Sequence, residues 1–217
     1  AAVGRRAGAY KSLVRPKLSN LAPRFIVDED LAAEFGNPNL KPYRAWNIDL
    51  SAEYYFAQNA VISAGFFWKS IKDFVVEQRD FDSGSFQGID YNEAVFFVNG
   101  DTAKVKGIEL SFNQAFTFLP APFDGLLLNA NYTYTDAKGT VFQDGDVTLP
   151  RDITLPAASK HTANVSIGYD KGPLSLRAAG TYRSKYLDEV GDDASNDRFV
   201  ASHFQIDLSA KYRVAKG

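Results

Sequence analysis

From Trp46 to Phe56 every second residue is apolar or aromatic (Trp46, Ile48, Leu50, Ala52, Tyr54, Phe56), and Asn47, Asp49, Ser51 and Glu53 fall between them. Successive side chains of an extended chain point to opposite faces, so this spacing describes a strand with one apolar and one polar face. Six further segments repeat it. Ile62, Ala64, Phe66 and Trp68 alternate with Ser63, Gly65 and Lys69, with Phe67 as the exception. Ile108, Leu110 and Phe112 alternate with Glu109, Ser111 and Asn113, and Leu126, Leu128, Ala130, Tyr132 and Tyr134 with Asn129, Asn131 and Thr133. Ala163 to Tyr169, Leu174 to Tyr182 and Phe204 to Tyr212 follow the same rule, placing Arg177, Arg183, Asp207 and Lys211 on the polar parity. A weaker eighth segment runs from Gly4 to Leu13. Helix-spaced patterns are scarce, so the chain reads as all-β.

The connections alternate in length. Short links lie at Ala57–Asn59, Leu119–Asp124 and Lys171–Gly172, and long polar links at Arg15–Arg44, Gln78–Asn92, Lys138–Ala158 and Glu189–Val200. Tight turns at one end and long loops at the other are the asymmetry of an antiparallel up-and-down transmembrane barrel. Greek-key links in a soluble sandwich need not alternate this way. Tyr54, Tyr55, Phe56, Phe116, Phe118, Tyr169 and Tyr212 fall near the short links or the chain end, and Trp68, Tyr132, Tyr134, Tyr182 and Tyr186 toward the long ones. Two such bands suit the two membrane–water interfaces. The longest apolar runs, Ala64–Trp68 and Ala94–Val98, fall far short of the roughly 20 residues of a membrane helix, but a barrel strand carries its apolar residues only at alternate positions.

A net charge of −2 argues against nucleic acid, which needs clustered cations to neutralise phosphates. The absence of cysteine removes disulfides, thiolate metal sites and thiol nucleophiles. No nucleophile elbow, zincin helix, phosphate loop or dinucleotide fingerprint is present, and no cofactor is implied. His161 and His203 lie near Ser159 and Ser202, but close neighbours along a strand make poor catalytic pairs. A hydrogen-bonding histidine at the interface is the plainer reading, and the chain is read as a non-enzyme.

Several segments together resemble a family: Ser12-Leu-Val-Arg-Pro16 with Leu21-Ala-Pro23, Asn37-Pro-Asn-Leu-Lys-Pro42 leading into Asp49-Leu-Ser-Ala-Glu-Tyr-Tyr-Phe56, and Phe67-Trp-Lys-Ser-Ile-Lys-Asp-Phe74. Val105-Lys-Gly-Ile-Glu-Leu110, Ala130-Asn-Tyr-Thr-Tyr134 and Leu155-Pro-Ala-Ala-Ser-Lys-His-Thr-Ala-Asn164 continue the likeness in the same order. The chain resembles the C-terminal part of the barrel of TonB-dependent outer-membrane receptors, especially the branch of Caulobacter, Sphingomonas and Xanthomonas relatives. The resemblance implies about eight strands of a larger barrel of about 22, filled by a plug domain. Residues 1–217 are then one partial barrel domain. The end at Arg213-Val-Ala-Lys-Gly217, without a terminal aromatic, and a start without an apolar leader agree with that expectation.

The resemblance further implies active uptake of a scarce solute, a carbohydrate or a ferric siderophore, at the bacterial outer membrane. Its partners would be outer-membrane lipid and lipopolysaccharide, the plug of the same full-length chain, TonB acting through that plug, and the solute. The polar set Asp49, Glu53, Lys69, Glu109, Asn113, Asn129, Asn131, Arg177, Arg183, Asp207 and Lys211 would line the lumen, mostly against the plug. Tyr43, Trp46, Phe81, Phe86, Tyr91 and Phe142, near the mouth, would stack on solute or tuck their loops closed. Asp188, Asp192 and Asp193, in an acidic loop that also holds Glu189 and Asp197, are weak calcium candidates, as are Asp80 with Asp82 and Asp144 with Asp146, since clustered carboxylates suit hard cations. Solvated loop charge, bridged by divalent ions to lipopolysaccharide, is the plainer reading. Two other architectures fit the alternation: a complete eight-stranded barrel with a structural or adhesive role, and a soluble β-sandwich binding module.

Overall fold

A computed structural model of the chain describes residues 1–142 and 149–214. In chain order the strands are β1 (Ala2–Val14), β2 (Phe25–Val27), β3 (Ala32–Phe35), β4 (Tyr43–Ala57), β5 (Ala60–Lys72) and β6 (Val75–Asp80). There follow β7 (Gly84–Phe86), β8 (Ile89–Tyr91), β9 (Glu93–Asn99), β10 (Thr102–Ala115), β11 (Leu126–Phe142) and β12 (Pro150–Thr154). The last are β13 (His161–Lys171), β14 (Leu174–Arg183), β15 (Tyr186–Gly191), β16 (Arg198–Val200) and β17 (His203–Tyr212). One helical turn, α1 (Leu18–Leu21), interrupts the first long link.

Eight long strands form one wall in the order β1-β4-β5-β10-β11-β13-β14-β17, each antiparallel to the next, and β12 pairs with the upper part of β11. The spatial order follows the chain order, as in an up-and-down barrel, and the weak first segment is a full wall strand. Register explains why the alternation matters. Gly4, Glu53, Ser63, Ser111, Asn131, Asn164, Thr181 and Gln205 stand directly across from one another over all eight strands. One residue away, on the other face, stand Val3, Tyr54, Ile62, Phe112, Ala130, Val165, Gly180 and Ile206. The polar row is cross-linked, with Ser63 and Ser111 hydroxyls 2.7 Å apart and Asn164 Nδ2 donating to Asn131 Oδ1 at 2.8 Å. The apolar face is uncovered: Ile48, Leu50, Ile62, Phe66, Ile108, Leu110, Val165 and Ile167 are all exposed.

Above Trp46 and Trp68 the two faces exchange character. On the apolar face the positions there include Arg44, Ser70, Lys72, Lys104, Lys106, Asp136, Lys138 and Asp152; on the polar face they include Ala45, Ile71, Ala103, Gly139, Val141 and Ile153. The newly apolar patch is where the long links pack. They are not mere polar connectors: they contribute a six-stranded cap in the order β16-β15-β6-β9-β3-β2, with parallel β15/β6 and β3/β9 pairs. Phe74, Val76, Ala103, Val141, Ile153, Leu187 and Val190 form the shared core of wall and cap. The run Ala94–Val98 belongs to β9 and is continuous because the strand packs on both faces, with Ala94 wholly buried.

Wall and cap join at a kink. The β5/β10 pair breaks at Asp73, whose φ is +56°, and resumes as β6/β9 with Val75 opposite Asn99. Asn99 fastens the break: its Nδ2 donates to the carbonyls of Asp73 at 2.8 Å and Lys41 at 3.1 Å, and its Oδ1 accepts from the Lys41 amide at 2.8 Å. Gly100 and Gly139 leave room for the Phe74 ring, which a Cβ would meet at 2.3 Å and 2.9 Å.

Two alternative architectures do not match this arrangement. A sandwich would cover the apolar face with a second sheet, whereas the cap packs on the other side of the wall. A closed eight-stranded barrel would pair β1 with β17, whereas these are the two outer strands of the sheet.

Phe67, the aromatic on the polar parity, lies over Gly107 of the neighbouring strand. A Cβ at Gly107 would stand 2.4 Å from the Phe67 ring and 2.1 Å from the Tyr134 carbonyl oxygen. Gly107→Val is therefore expected to destabilise the full-length protein by about 1–3 kcal/mol, through overpacking. Adding Phe67→Ala should recover only part of that loss, because the carbonyl contact remains. Urea unfolding of the detergent-solubilised protein measures both; full recovery in the double variant would contradict the backbone clash.

Candidate functional site

The polar face is furnished by residues that β-strand register brings together from distant parts of the chain. All eleven polar residues anticipated for a lumen share it. Glu53 and Asn131 stand in the row already described; Glu109 and Arg183 share the next, with Arg6, Ser51, Gly65, Thr133, Thr162 and His203. Asp49 lies between Gly8 and Phe67, and Lys69 between Asn47 and Val105. Asn113, Asn129 and Asp207 share a lower row with Ser166, while Arg177 and Lys211 stand opposite Ser209 and Ser175. Small residues open grooves in this surface. One of about 500 Å³ is bordered by Arg6, Asp49, Ser51, Lys69 and Glu109, and another of about 400 Å³ by Glu53, Ser63, Ser111, Asn131 and Thr133.

Where wall meets cap, a third cavity of about 490 Å³ is lined by Tyr43, Ile71, Phe74, Val76, Leu155 and Pro156 on its apolar side. Glu77, Asp188, Glu189 and Arg198 supply its charges. Arg198 donates to Asp188 Oδ2 from Nη2 at 2.6 Å and from Nε at 3.1 Å, and its Nη2 lies 2.5 Å from Glu189. Its guanidinium is held above the ordinary arginine value, chiefly by the hydrogen bond to Asp188 and then by the charge of Glu189. Arg79 extends the network, donating to Glu93 at 2.6 Å and approaching Glu189 at 3.3 Å without hydrogen-bond alignment. The site thus offers an apolar wall with Tyr43 and a rim of carboxylates around one arginine, suited to hydrogen-bonding a polar solute.

A second ion pair fixes the loop beside it. Arg151 donates to both oxygens of Asp197, at 2.7 Å and 3.1 Å, and to the Gly191 carbonyl at 2.9 Å; Asp197 in turn accepts from the Gly191 amide at 3.0 Å. Both side chains are close to buried, 12% and 10% exposed.

The mouth aromatics divide. Tyr43 lines the cavity. Trp46 does not face it: it stands on the apolar face, with Lys11 Nζ 4.5 Å above its ring, because its even parity places it with Ile48 and Leu50. Phe86 and Tyr91 pack with Phe25 and Phe35 at centroid distances of 5.0–6.3 Å, and Phe86 remains exposed. Phe81 is exposed in the turn after β6, and the Phe142 carbonyl accepts from Gln78.

The calcium candidates are likewise engaged. Asp188 is bound by Arg198, Asp192 accepts from Asn196 Nδ2, and Asp193 accepts from the Ser195 hydroxyl and the Ser195 and Asn196 amides. Asp80 accepts the Asp82 amide. Among the described residues no three such groups converge on a cation position; Asp144 and Asp146 lie outside the described residues. His161 Nδ1 is 2.8 Å from the Tyr132 hydroxyl, and its amide donates to Ser184 Oγ.

Sequence reasoning missed Arg198, Glu77 and Arg151, and read Glu189 and Asp197 only as members of an acidic loop. Arg151 and Asp197 come from different links, whereas Arg198 meets Asp188 and Glu189 across one short hairpin; no spacing along the chain signals either arrangement.

Comparison with known proteins agrees with this architecture. The sequence model described as TonB dependent receptor-like, beta-barrel, matches residues 3–217. The chain therefore belongs to the TonB-dependent receptor family, within its β-barrel. A mutant of the ferric enterobactin receptor PfeA from Pseudomonas aeruginosa, in complex with enterobactin, is similar to it at 21% identity and a TM-score of 0.64, over 99% of this chain and 31% of the receptor. The copper transporter OprC shares 16% identity with a TM-score of 0.68, over 99% and 29%. The siderophore receptor PirA from Acinetobacter baumannii shares 16% with a TM-score of 0.60, over 98% and 33%. The chain thus spans about a third of the length of these receptors. Among curated proteins, none matches it.

Two outcomes follow. Asp197→Ala leaves Arg151 unpaired near the interior, at a cost of about 3–5 kcal/mol to the local structure. Limited trypsinolysis of the folded full-length protein should then cut within residues 184–202 while the wall stays intact; unchanged resistance would contradict the role given to this pair. The Asp193 carboxyl is held below the usual aspartate range, first by the Ser195 hydroxyl and then by the Ser195 amide. Its contribution to the turn is present above the unfolded carboxylate value of about 3.9 and lost as pH falls through the lowered folded value. Hydrogen exchange at the Asn196 amide should therefore gain protection from Asp193 at neutral pH and lose it in acid, whereas Asp193→Asn should remove that pH dependence.

Proposed function

We propose that the chain forms part of the outer-membrane wall and extracellular cap of an active-uptake receptor for a scarce solute, a carbohydrate or a ferric siderophore. One observation carries the reading: an apolar face continuous over eight strands is left uncovered, while the opposite polar face is roofed at one end by an ordered cap with a charged cavity beneath it. An exposed apolar surface of that extent suits hydrocarbon. The polar face then borders the lumen and packs against the plug of the full-length chain, which TonB would pull. The cap and its cavity form the outward side that meets solute first. The chain itself carries no catalysis in this scheme. The solved structures similar to it are of a ferric enterobactin receptor, a siderophore receptor and a copper transporter, which supports small-solute uptake without choosing the solute.

The lipid assignment is tested by exchanging charge across one strand of the full-length receptor. Leu110→Lys on the apolar face should cost about 2–4 kcal/mol of insertion free energy and deplete folded receptor from the outer-membrane fraction, whereas Glu109→Lys, one residue away, should leave insertion unchanged. Equal insertion of the two variants would defeat the assignment. Uptake is tested with radiolabelled ferric catecholate siderophore and labelled oligosaccharides in cells with and without the receptor and TonB. Transport of one class should require both; independence of both classes from either protein would refute the function.

A further inference from the structure

Binding an anion takes a cation that is free to meet it. In the links that build the cap, Arg24 is paired with Glu34, Arg79 with Glu93 and Glu189, Arg151 with Asp197, and Arg198 with Asp188 and Glu189. Of these arginines only Arg198 lines the cavity beneath the cap, and it does so among three carboxylates, Glu77, Asp188 and Glu189. The cations next in sequence look elsewhere. Lys185 Nζ sits 4.1 Å from the Phe199 ring and the Arg183 guanidinium 4.5 Å from that of Tyr186, while Arg44 and Lys72 stand on the opposite face of the wall.

Pairing spends the charge of Arg198 without using up its hydrogen bonds. Arg198 donates through Nε and Nη2, and Asp188 accepts both bonds on Oδ2. Among the described residues, Arg198 Nη1 and Asp188 Oδ1 have no hydrogen-bond partner, and Glu77 is exposed and in no salt bridge. A donor beside acceptors suits hydroxyl groups, which both give and take hydrogen bonds. Tyr43, Ile71, Leu155 and Pro156 add an apolar surface for the C–H side of a ring. An anionic chelate would instead face three carboxylates across a partly enclosed site, and juxtaposed like charges oppose binding strongly.

We propose that Asp188 and Glu189 set the charge specificity of this cavity: by occupying Arg198 they make it reject anionic ferric chelates and accept a neutral, hydroxyl-rich solute, which of the two solute classes is the carbohydrate. The inference rests on the uptake reading and narrows it. The device is local, since Glu189 and Arg198 are partners across the β15/β16 pair and Arg79 approaches Glu189 from β6. Arg198 is thus an anion site masked by its own neighbours, and removing the mask would expose it.

The test uses the full-length receptor in detergent, a panel of neutral oligosaccharides and a ferric tris-catecholate, with affinities read by titration calorimetry. At least one oligosaccharide should bind about tenfold more tightly than the ferric chelate, with an affinity that added salt leaves unchanged, because the solute carries no charge to screen. Asp188→Asn with Glu189→Gln should weaken the oligosaccharide and tighten the ferric chelate, each by about tenfold, and adding Arg198→Gln should abolish the gained chelate binding. Should the double variant fail to fold, Glu77→Gln on the exposed rim serves instead: chelate binding tighter by roughly threefold supports the assignment, and unchanged binding overturns it. Tighter binding of the chelate than of every oligosaccharide, binding of no oligosaccharide in the panel, or an unaltered preference in a folded double variant would each overturn it as well. TonB-dependent uptake of the ferric chelate with no uptake of oligosaccharide refutes only this inference; TonB-dependent uptake of neither class refutes the uptake reading itself.

Discussion

The antiparallel ladder is the constraint on which the rest of the structure depends. Each strand passes its face assignment to the next, because residues directly across a ladder share a face, and a slip of one residue would invert an entire strand. Over eight strands that rule turns a local habit, polar after apolar, into two continuous surfaces. Glu53, Ser63, Ser111 and Asn131 become neighbours although nearly eighty residues separate the first from the last. The grooves of the polar face are consequences of this register, and so is the uncovered apolar belt.

The exchange of faces above Trp46 and Trp68 gives the wall its vertical organisation. Below it, the alternation suits an apolar exterior and a hydrated interior. Above it, the exterior carries Arg44, Lys72, Lys104 and Lys138 while the interior carries Ala45, Ile71, Ala103 and Val141. The upper strands are thus built like those of a water-soluble protein, with a buried inner face, and the cap supplies what buries it. The period never changes; only its phase does. A single unbroken strand such as β11 can therefore serve two solvents in succession, and the aromatic residues mark the crossing.

This also explains how much could be read from the sequence. The wall was legible because its signal is local and repeated: each segment from Trp46, Ile62, Ile108 and Leu126 onward carries its own alternation. The weak first segment gains its place from pairing with β4, Ala7 opposite Leu50 and Ala9 opposite Ile48. The cap was not legible. Strands such as β2, β3 and β16 are three or four residues long, and the parallel β3/β9 and β15/β6 pairs join them to distant links. Composition marks those links as polar, which they are, without saying that they pair. The same limit governs the site. Tyr43 borders the cavity because it ends a wall strand, whereas the packing of Phe86 and Tyr91 on Phe25 and Phe35 joins separate links and leaves no signal along the chain. Trp46 was assigned twice, to the belt and to the mouth, and parity alone decides for the belt.

The open sides of the sheet set the final condition on function. β1 and β17 each present an unpaired edge, and the residues of β17 are exposed along its whole length. In water an edge strand can be tolerated through charge or short length. In hydrocarbon each unsatisfied amide or carbonyl costs several kcal/mol, so a membrane-spanning sheet must be continued by further strands until it closes. Closure of a sheet with this polar face encloses a lumen, and a lumen wider than its own side chains can fill requires something to fill it. Under the function proposed above, the grooves beside Gly8 and Gly65 would be contact surface for that filling, with the cavity beneath the cap toward its outer end. In the function proposed above the labour would divide accordingly: this arc would hold shape, register and entrance, and movement would belong to whatever occupies the lumen.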